Sequence, residues 1–305
     1  MSVQSYLLDG QSWAIAYSGY REGQGPNGEQ PSDEQIVEDL RILMDNGFGL
    51  IRVYGSRDHG GDTVRVIAEH DLPMKVLLGT WLEAEISNHD NCPWLHEPIP
   101  QEQLEANKLN NEHEIAIAIE LANRYPDVVA SVSIGNEALV HWNDHMVELE
   151  SVMAYVRQVK AAIEQPITVA ENYDWWAAHG APLAELVDYI GVHTYASWEH
   201  KSIDDGMPFT IQNLEKVRDA LPDKPMAILE AGWATKAVEF HTASYENQRR
   251  YYNELKQWAE DICMTVFFFE AYDEPWKGDP ANVHGAEKHW GVFYENRSPK
   301  LVLAS

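Results

Sequence analysis

The sequence predicts an α/β fold, a (β/α)8 TIM barrel forming one catalytic-size domain over residues 1–305. Three observations carry that expectation. Eight short apolar runs recur along the chain with stretches of helical periodicity between most of them, the alternation that builds parallel strands and covering helices. The runs are close to continuously apolar, as in Met264-Thr-Val-Phe-Phe-Phe269, which marks strands covered on both faces. A length of 305 residues with 45% hydrophobic content also suits one barrel, which commonly takes about 250 residues.

The elements follow in order. Trp13-Ala-Ile-Ala-Tyr17 is the first strand, with a Gly- and Pro-rich loop from Gly19 to Pro31 at its tip. Ser32 then caps a helix whose apolar face is Ile36, Val37, Leu40, Leu43 and Met44, up to Gly47. Gly49-Leu-Ile-Arg-Val-Tyr54 is strand two, residues 63–70 are a short helix, and Met74-Lys-Val-Leu-Leu-Gly-Thr80 is strand three. A long polar loop over residues 81–100 is expected to wall a cleft. A helix over residues 101–125 leads to strand four, which closes on Gly135, Asn136 and Glu137. Helical spacing over 145–164 precedes strand five at 166–170. A brief helix at 182–187 precedes strand six at 188–193. Helices at 210–220 and 245–260 then flank strand seven at 225–233, and strand eight occupies 264–270. Trp290 and Phe293 should fold the polar loop at 278–299 back onto the barrel.

Lys and Arg total 22 against 49 for Asp and Glu, a net charge of −27 that repels phosphate backbones and anionic lipid. Nucleic acid and membrane partners are therefore not expected, and neutral sugars suit the field better than phosphorylated metabolites. Residues 1–10 show neither a basic start nor a long apolar stretch, so they do not read as a secretory signal, and the compartment is left open. Cys92 and Cys263 fall at opposite ends of the expected barrel, which argues against a disulfide.

Barrel chemistry sits at the carboxyl ends of the strands. Among the acids, Glu137, Glu171, Glu230 and Glu270 close apolar strand runs. Glu137 and Glu230 belong to strands four and seven, which can face one another across the mouth. Retaining cleavage of a glycosidic bond needs two carboxyls about 5–5.5 Å apart, one to protonate the leaving oxygen and one to attack the anomeric carbon. Asn136 adds a neutral donor for a neighbouring hydroxyl. For any single acid, a salt bridge to a barrel arginine is the competing account.

Around the pair, Tyr195 reads either as a donor to a carboxylate nucleophile or as a rim-packing residue. Tyr17, Arg52 and Tyr54 lie at tips where a sugar can bind, and Arg52 reads equally as a counterion to Glu230. Trp81, Trp142, Tyr173, Trp175, Trp176, Trp198, Trp233 and Trp276 all follow strand tips, where aromatic faces suit the C–H faces of sugars; core packing is the alternative for each. His141 and His145 stand four apart, but no His-Glu-x-x-His pattern and no third ligand accompany them. No metal and no cofactor is expected.

Four motifs taken together resemble glycoside hydrolase family 17: Ile51-Arg-Val-Tyr-Gly55, Ser133-Ile-Gly-Asn-Glu137, Leu229-Glu-Ala-Gly-Trp233, and Phe269-Glu-Ala-Tyr-Asp-Glu-Pro-Trp-Lys277. They occur in order and span nearly the whole chain. The resemblance implies a (β/α)8 barrel active on β-1,3-glucan, with Glu137 as general acid/base and Glu230 as nucleophile. Glu270 and Lys277 resemble that family's supporting acidic and basic residues after strand eight, and Asp273 and Glu274 between them are expected to contact the substrate. Ala231 stands where many members of that family place a hydroxyl residue. The Asp-Glu-Pro-Trp-Lys ending is similar to the fungal and bacterial branch, and with the aromatic set it favours β-1,3-glucanosyl transfer over endo- or exo-hydrolysis. A non-catalytic glucan-binding barrel and a metal-dependent barrel hydrolase are the alternatives from other classes. The oligomeric state is left open.

Overall fold

The computed structural model describes residues 13–304. The reading of residues 1–10 as lacking a signal lies outside that range. Eight parallel strands, each hydrogen-bonded to the next in sequence and the last to the first, close a barrel. They are β1 (Trp13–Ala16), β2 (Leu50–Val53), β3 (Lys75–Thr80), β4 (Val129–Asn136), β5 (Ile167–Asn172), β6 (Ile190–His193), β7 (Met226–Gly232) and β8 (Val266–Phe269). The covering helices are α1 (Asp33–Asp45), α2 (Asp58–Glu69), α3 (Gln101–Arg124), α4 (Leu149–Ala162), α5 (Tyr173–His179), α6 (Ala181–Ala184), α7 (Ile203–Ala220) and α8 (Tyr245–Ile262). The predicted (β/α)8 barrel is the fold.

Strand tips and helix caps fall close to their sequence signals. Ser32 caps α1 through a reciprocal box with Gln35, each side chain meeting the other's backbone amide. Three helices depart from expectation. α2 starts at Asp58, not 63, so it takes in Gly60 and Gly61. α7 starts at Ile203, not 210, because Ser202 accepts from the Asp205 amide and caps the helix ahead of Gly206 and Pro208, which lie inside it. α5 was not expected at all: Asn172 caps it directly off β5, so Tyr173, Trp175 and Trp176 are helical.

A small cluster drawn from seven of the eight strands and the Tyr189 position before β6, including Ala14, Leu50, Leu77, Ala170, Leu229 and Phe267, fills the barrel interior, and a larger one lies between strands and helices. Above the interior layer the ladder slips out of register at three places: between Ser133 and Asn136 on β4, Val192 and His193 on β6, and Ile228 and Ala231 on β7. Such bulges re-aim the side chains beyond them. On β7 the slip lets Leu229 sit in the interior cluster while its neighbour Glu230 also faces Arg52. Gly232 follows because β7 and β8 approach so closely that a β-carbon there would meet the Phe269 carbonyl oxygen at 2.1 Å.

After β8 the chain crosses back over the barrel. Trp290 and Phe293 are buried, as expected, and Arg297 reaches the fully buried Asp39 of α1 through two bonds of 2.8 and 2.7 Å while also donating to the Gly19 carbonyl. Cys92 is buried and Cys263 exposed, and both are free thiols.

Candidate active site

Four strand tips converge on one pocket. At the end of β4, Gly135 (φ 76°) and Glu137 (φ 50°) both turn left-handed around Asn136. Strand alternation would send residues 136 and 137 to opposite faces. The left-handed turns bring both inward: Asn136 Oδ1 accepts from the Arg52 guanidinium at 2.6 Å, and Glu137 Oε1 stands 3.0 Å from His193 Nδ1. Across the mouth, Glu230 Oε1 accepts from Arg52 at 2.8 Å and from the Tyr54 hydroxyl at 2.9 Å. Its Oε2 accepts from the Tyr195 hydroxyl at 2.7 Å and lies 3.5 Å from the same His193 Nδ1.

The two acids sit in unlike surroundings. The Glu230 side chain is 8% exposed and that of Glu137 26%. Burial pushes the Glu230 carboxyl up, but His193, Arg52 and the hydroxyls of Tyr195 and Tyr54 outweigh it and hold the group below the usual carboxylate range. Arg52 and the hydroxyls act whichever state His193 takes. Arg52 has only donors, so in the neutral ring its 3.1 Å approach to His193 Nε2 makes that nitrogen the acceptor and leaves the Nδ1 proton facing Glu137. Because folding lowers the proton affinity of Glu230, its contribution to stability is present above the unfolded pKa and is lost as pH falls through the folded one.

Arg52 is 1% exposed and bonds Glu230, Asn136 and the Leu229 carbonyl at once. Arg52→Met is expected to cost about 3–5 kcal/mol, since it strands a buried carboxylate. It should also move the acidic limb of the activity profile to higher pH, because Glu230 then loses its proton less readily. Denaturant midpoints and a pH–rate profile test this; a variant of parental stability with an unmoved limb contradicts the counterion role.

Residues 14–291 match the BtgE/BtgC glycoside hydrolase domain. The chain belongs to that family. A BtgE/BtgC-type barrel of this kind is a glycoside hydrolase or transglycosylase. A glucan 1,3-β-glucosidase of Arthroderma benhamiae is 27% identical over 295 residues, covering 90% of this chain and 86% of the relative. An endo-laminarinase from Formosa Hel1_33_131 superposes with a TM-score of 0.83 at 25% identity, over 97% of this chain and 87% of that one. An active-site mutant of Rhizomucor miehei β-1,3-glucanosyltransferase, solved with laminaritriose, superposes with a TM-score of 0.75 at 20% identity over 96% of each chain, a likeness of fold.

The remaining side chains of the BtgE/BtgC-type pocket divide sharply. Past β8, Lys277 Nζ sits 3.0 Å from Glu270, in contact with Glu274 and 4.5 Å over the Phe269 ring. Burial, then the charge of Glu274, raises the Glu270 carboxyl well above its usual range. Glu287 was missed by sequence reasoning. It lies in a single 3₁₀ turn, Ala286–Lys288, with no strand tip to announce it, packed beside Gly278, and burial first, against the charge of Lys277 and with that of Glu230, Glu274 and Glu137, raises its carboxyl above the ordinary range. His193 was likewise read only as the end of a strand.

Trp81, Trp198 and Trp276 are open at 38%, 37% and 37% exposure. Trp81 stacks 4.6 Å from the ring of His145, whose Nε2 meets the Asn136 carbonyl at 2.9 Å, so His145 supports the rim of the pocket. Tyr173 and Trp175 are partly buried on α5. Six expected substrate contacts are corrected by their surroundings, among them Glu270 and Glu274, which are 1% and 0% exposed with their carboxyls on Lys277. Trp176 and Trp233 are fully buried, with indole nitrogens spent on the Gly191 and Thr242 carbonyls. Tyr17 is buried with its hydroxyl on Asp39, and Asp273 is committed to the buried Lys300 at 2.6 Å. None offers a surface to a sugar. Ala231 packs in the core and leaves no gap in the Glu230 bonds.

Proposed function

We propose that this barrel acts on β-1,3-glucan or laminari-oligosaccharides by double displacement, with Glu137 as general acid/base and Glu230 as nucleophile. The observation that carries the reading is the single His193 nitrogen lying 3.0 Å from one acid and 3.5 Å from the other. The two oxygens are then no farther apart than those distances laid end to end, and the ~5–5.5 Å spacing of a retaining pair fits within that limit. The substrate class rests on the relatives: a glucan 1,3-β-glucosidase, an endo-laminarinase, and a glucanosyltransferase holding laminaritriose. The four sequence motifs support the finer placement in glycoside hydrolase family 17, on its fungal and bacterial side.

In the first step Glu137 gives its proton to the glycosidic oxygen as that C–O bond breaks, and a Glu230 oxygen bonds to the anomeric carbon. The reducing-end fragment leaves as an alcohol. In the second step Glu137, now ionised, takes the proton of an incoming hydroxyl as its oxygen displaces Glu230. Held ionised by Arg52, Tyr54 and Tyr195, Glu230 suits attack, and the more open Glu137 suits proton exchange with leaving and arriving groups.

The incoming hydroxyl belongs to a second sugar in our reading, with Trp198 and the partly open Tyr173 and Trp175 as the acceptor-side aromatics. Hydrolysis is the second reading, favoured by the burial of Trp176 and the engagement of the Tyr195 hydroxyl, which thin that platform. Sizing the products from laminari-oligosaccharides of one defined length decides between them. Chains longer than the substrate are expected; shorter ones alone would assign the enzyme to hydrolysis.

A further inference from the structure

Glu171 is a fully buried carboxylate that the double-displacement scheme leaves without a task. It sits on β5, in the strand beside the one that carries Glu137, and is 0% exposed. Its Oε1 accepts the backbone amide of Leu139 at 2.8 Å, two residues beyond Glu137, while its Oε2 has no hydrogen-bond partner among the described residues. The segment it grips is a costly one. Glu137 adopts a left-handed φ of 50° without being glycine, a conformation that costs on the order of 1–2 kcal/mol.

Left to itself, such a turn relaxes unless its backbone groups are tied on every side. The ties are visible. Glu137 N–H donates to the Ala170 carbonyl at 2.8 Å, the residue before Glu171, and Asn143 Nδ2 donates to the Glu137 carbonyl. Val147 N–H donates to the Ala138 carbonyl at 2.9 Å. The Leu139 amide is the one tie made by a side chain from the neighbouring strand, and an acidic group buried at the foot of a reacting carboxyl is an expensive way to make it unless its position matters.

We propose that Glu171 is a positioning residue for Glu137: by accepting the Leu139 amide it locks residues 137–139 in the left-handed turn that aims the Glu137 carboxyl at the glycosidic oxygen. The proposal rests on the acid/base reading of Glu137. Burial first, and then the charge of Glu137, raise the Glu171 carboxyl well above its ordinary range, against the pull of the Leu139, Ala138 and Asn172 amides. The Leu139 amide asks only for an acceptor oxygen at that point, which the carboxyl supplies whether or not it carries a proton. A neutral amide should replace it.

The test compares Glu171→Gln, Glu171→Met and Glu171→Asp with the parent, reading kcat/KM on a laminari-oligosaccharide and on a 2,4-dinitrophenyl β-laminaribioside. The dinitrophenolate leaves without protonation, so its release does not need a well-aimed acid. Glu171→Gln, which keeps an acceptor of the same reach, is expected to stay within a few-fold of the parent on both substrates. Glu171→Met, which keeps the volume and drops the acceptor, should lose roughly 10–100-fold on the oligosaccharide, part of the 10²–10⁴-fold that general acid catalysis supplies, and little on the dinitrophenyl substrate. Glu171→Asp withdraws the acceptor by one methylene and should show the same selective loss, which keeps the test decisive if the methionine variant does not fold. Equal losses on both substrates, or an aspartate variant with parental activity on the oligosaccharide, overturn the proposal. Glu137→Ala run alongside separates the two claims: if it lacks leaving-group dependence, the acid/base reading fails, whereas dependence there and none at Glu171 removes only the positioning role.

Discussion

Glu230→Ala is expected to abolish turnover of laminari-oligosaccharides, by roughly 10⁴-fold or more, the scale on which removal of a nucleophile is felt. The loss follows from what the side chain alone supplies: an ionised oxygen, held by Arg52 at 2.8 Å, Tyr54 at 2.9 Å and Tyr195 at 2.7 Å, on the side of the mouth away from Glu137. Removing it also opens a space where a small anion fits, with the Arg52 charge still in place. Azide added with a dinitrophenyl glycoside should therefore restore turnover and yield the α-glycosyl azide, since attack comes from the face Glu230 occupied and no second inversion follows. A β-glycosyl azide would exchange the roles of the two acids, and an active alanine variant without azide would remove Glu230 from the reaction.

Glu137→Ala should lose about 10²–10⁴-fold on oligosaccharides, where the leaving oxygen must be protonated, with a far smaller effect on release of dinitrophenolate. Its second duty shows in the later step: without a base the glycosyl ester on Glu230 turns over slowly, so an activated substrate should give a burst followed by a slow phase. Azide needs no base, and should speed the slow phase and produce the β-glycosyl azide after two inversions. Uniform loss across leaving groups would mean that Glu137 shapes the pocket without moving a proton.

The pair itself was legible because an apolar run ending in an acid is a local pattern, and both Glu137 and Glu230 end such runs. Arg52 was legible for the same reason, and the reading of it as a counterion matches its 2.8 Å pair with Glu230. What stayed hidden depended on geometry that no single stretch encodes. His193 joins the acids only because the ladders at β4, β6 and β7 slip near their tips, and a slip in register leaves no mark in hydropathy. Glu287 comes from a turn more than fifteen residues past β8. Trp176 and Trp233 follow strand tips like the open tryptophans, and only the capping of α5 by Asn172 and the packing of Tyr251 over Trp233 decide that they face inward. Ser202 outweighed Pro208 in setting α7, which composition alone would weigh the other way.

The return of the chain after β8 bears on how this barrel can be cut. The family match ends at residue 291, yet Arg297 lies beyond it and grips an aspartate that has no access to solvent. A fragment trimmed at the homology limit would strip Asp39 of its two-pronged partner and uncover the ring of Tyr272, over which the guanidinium rests at 4.4 Å. For expression or for fusion to another module, the closing latch of the barrel, not the edge of sequence likeness, marks where the unit ends.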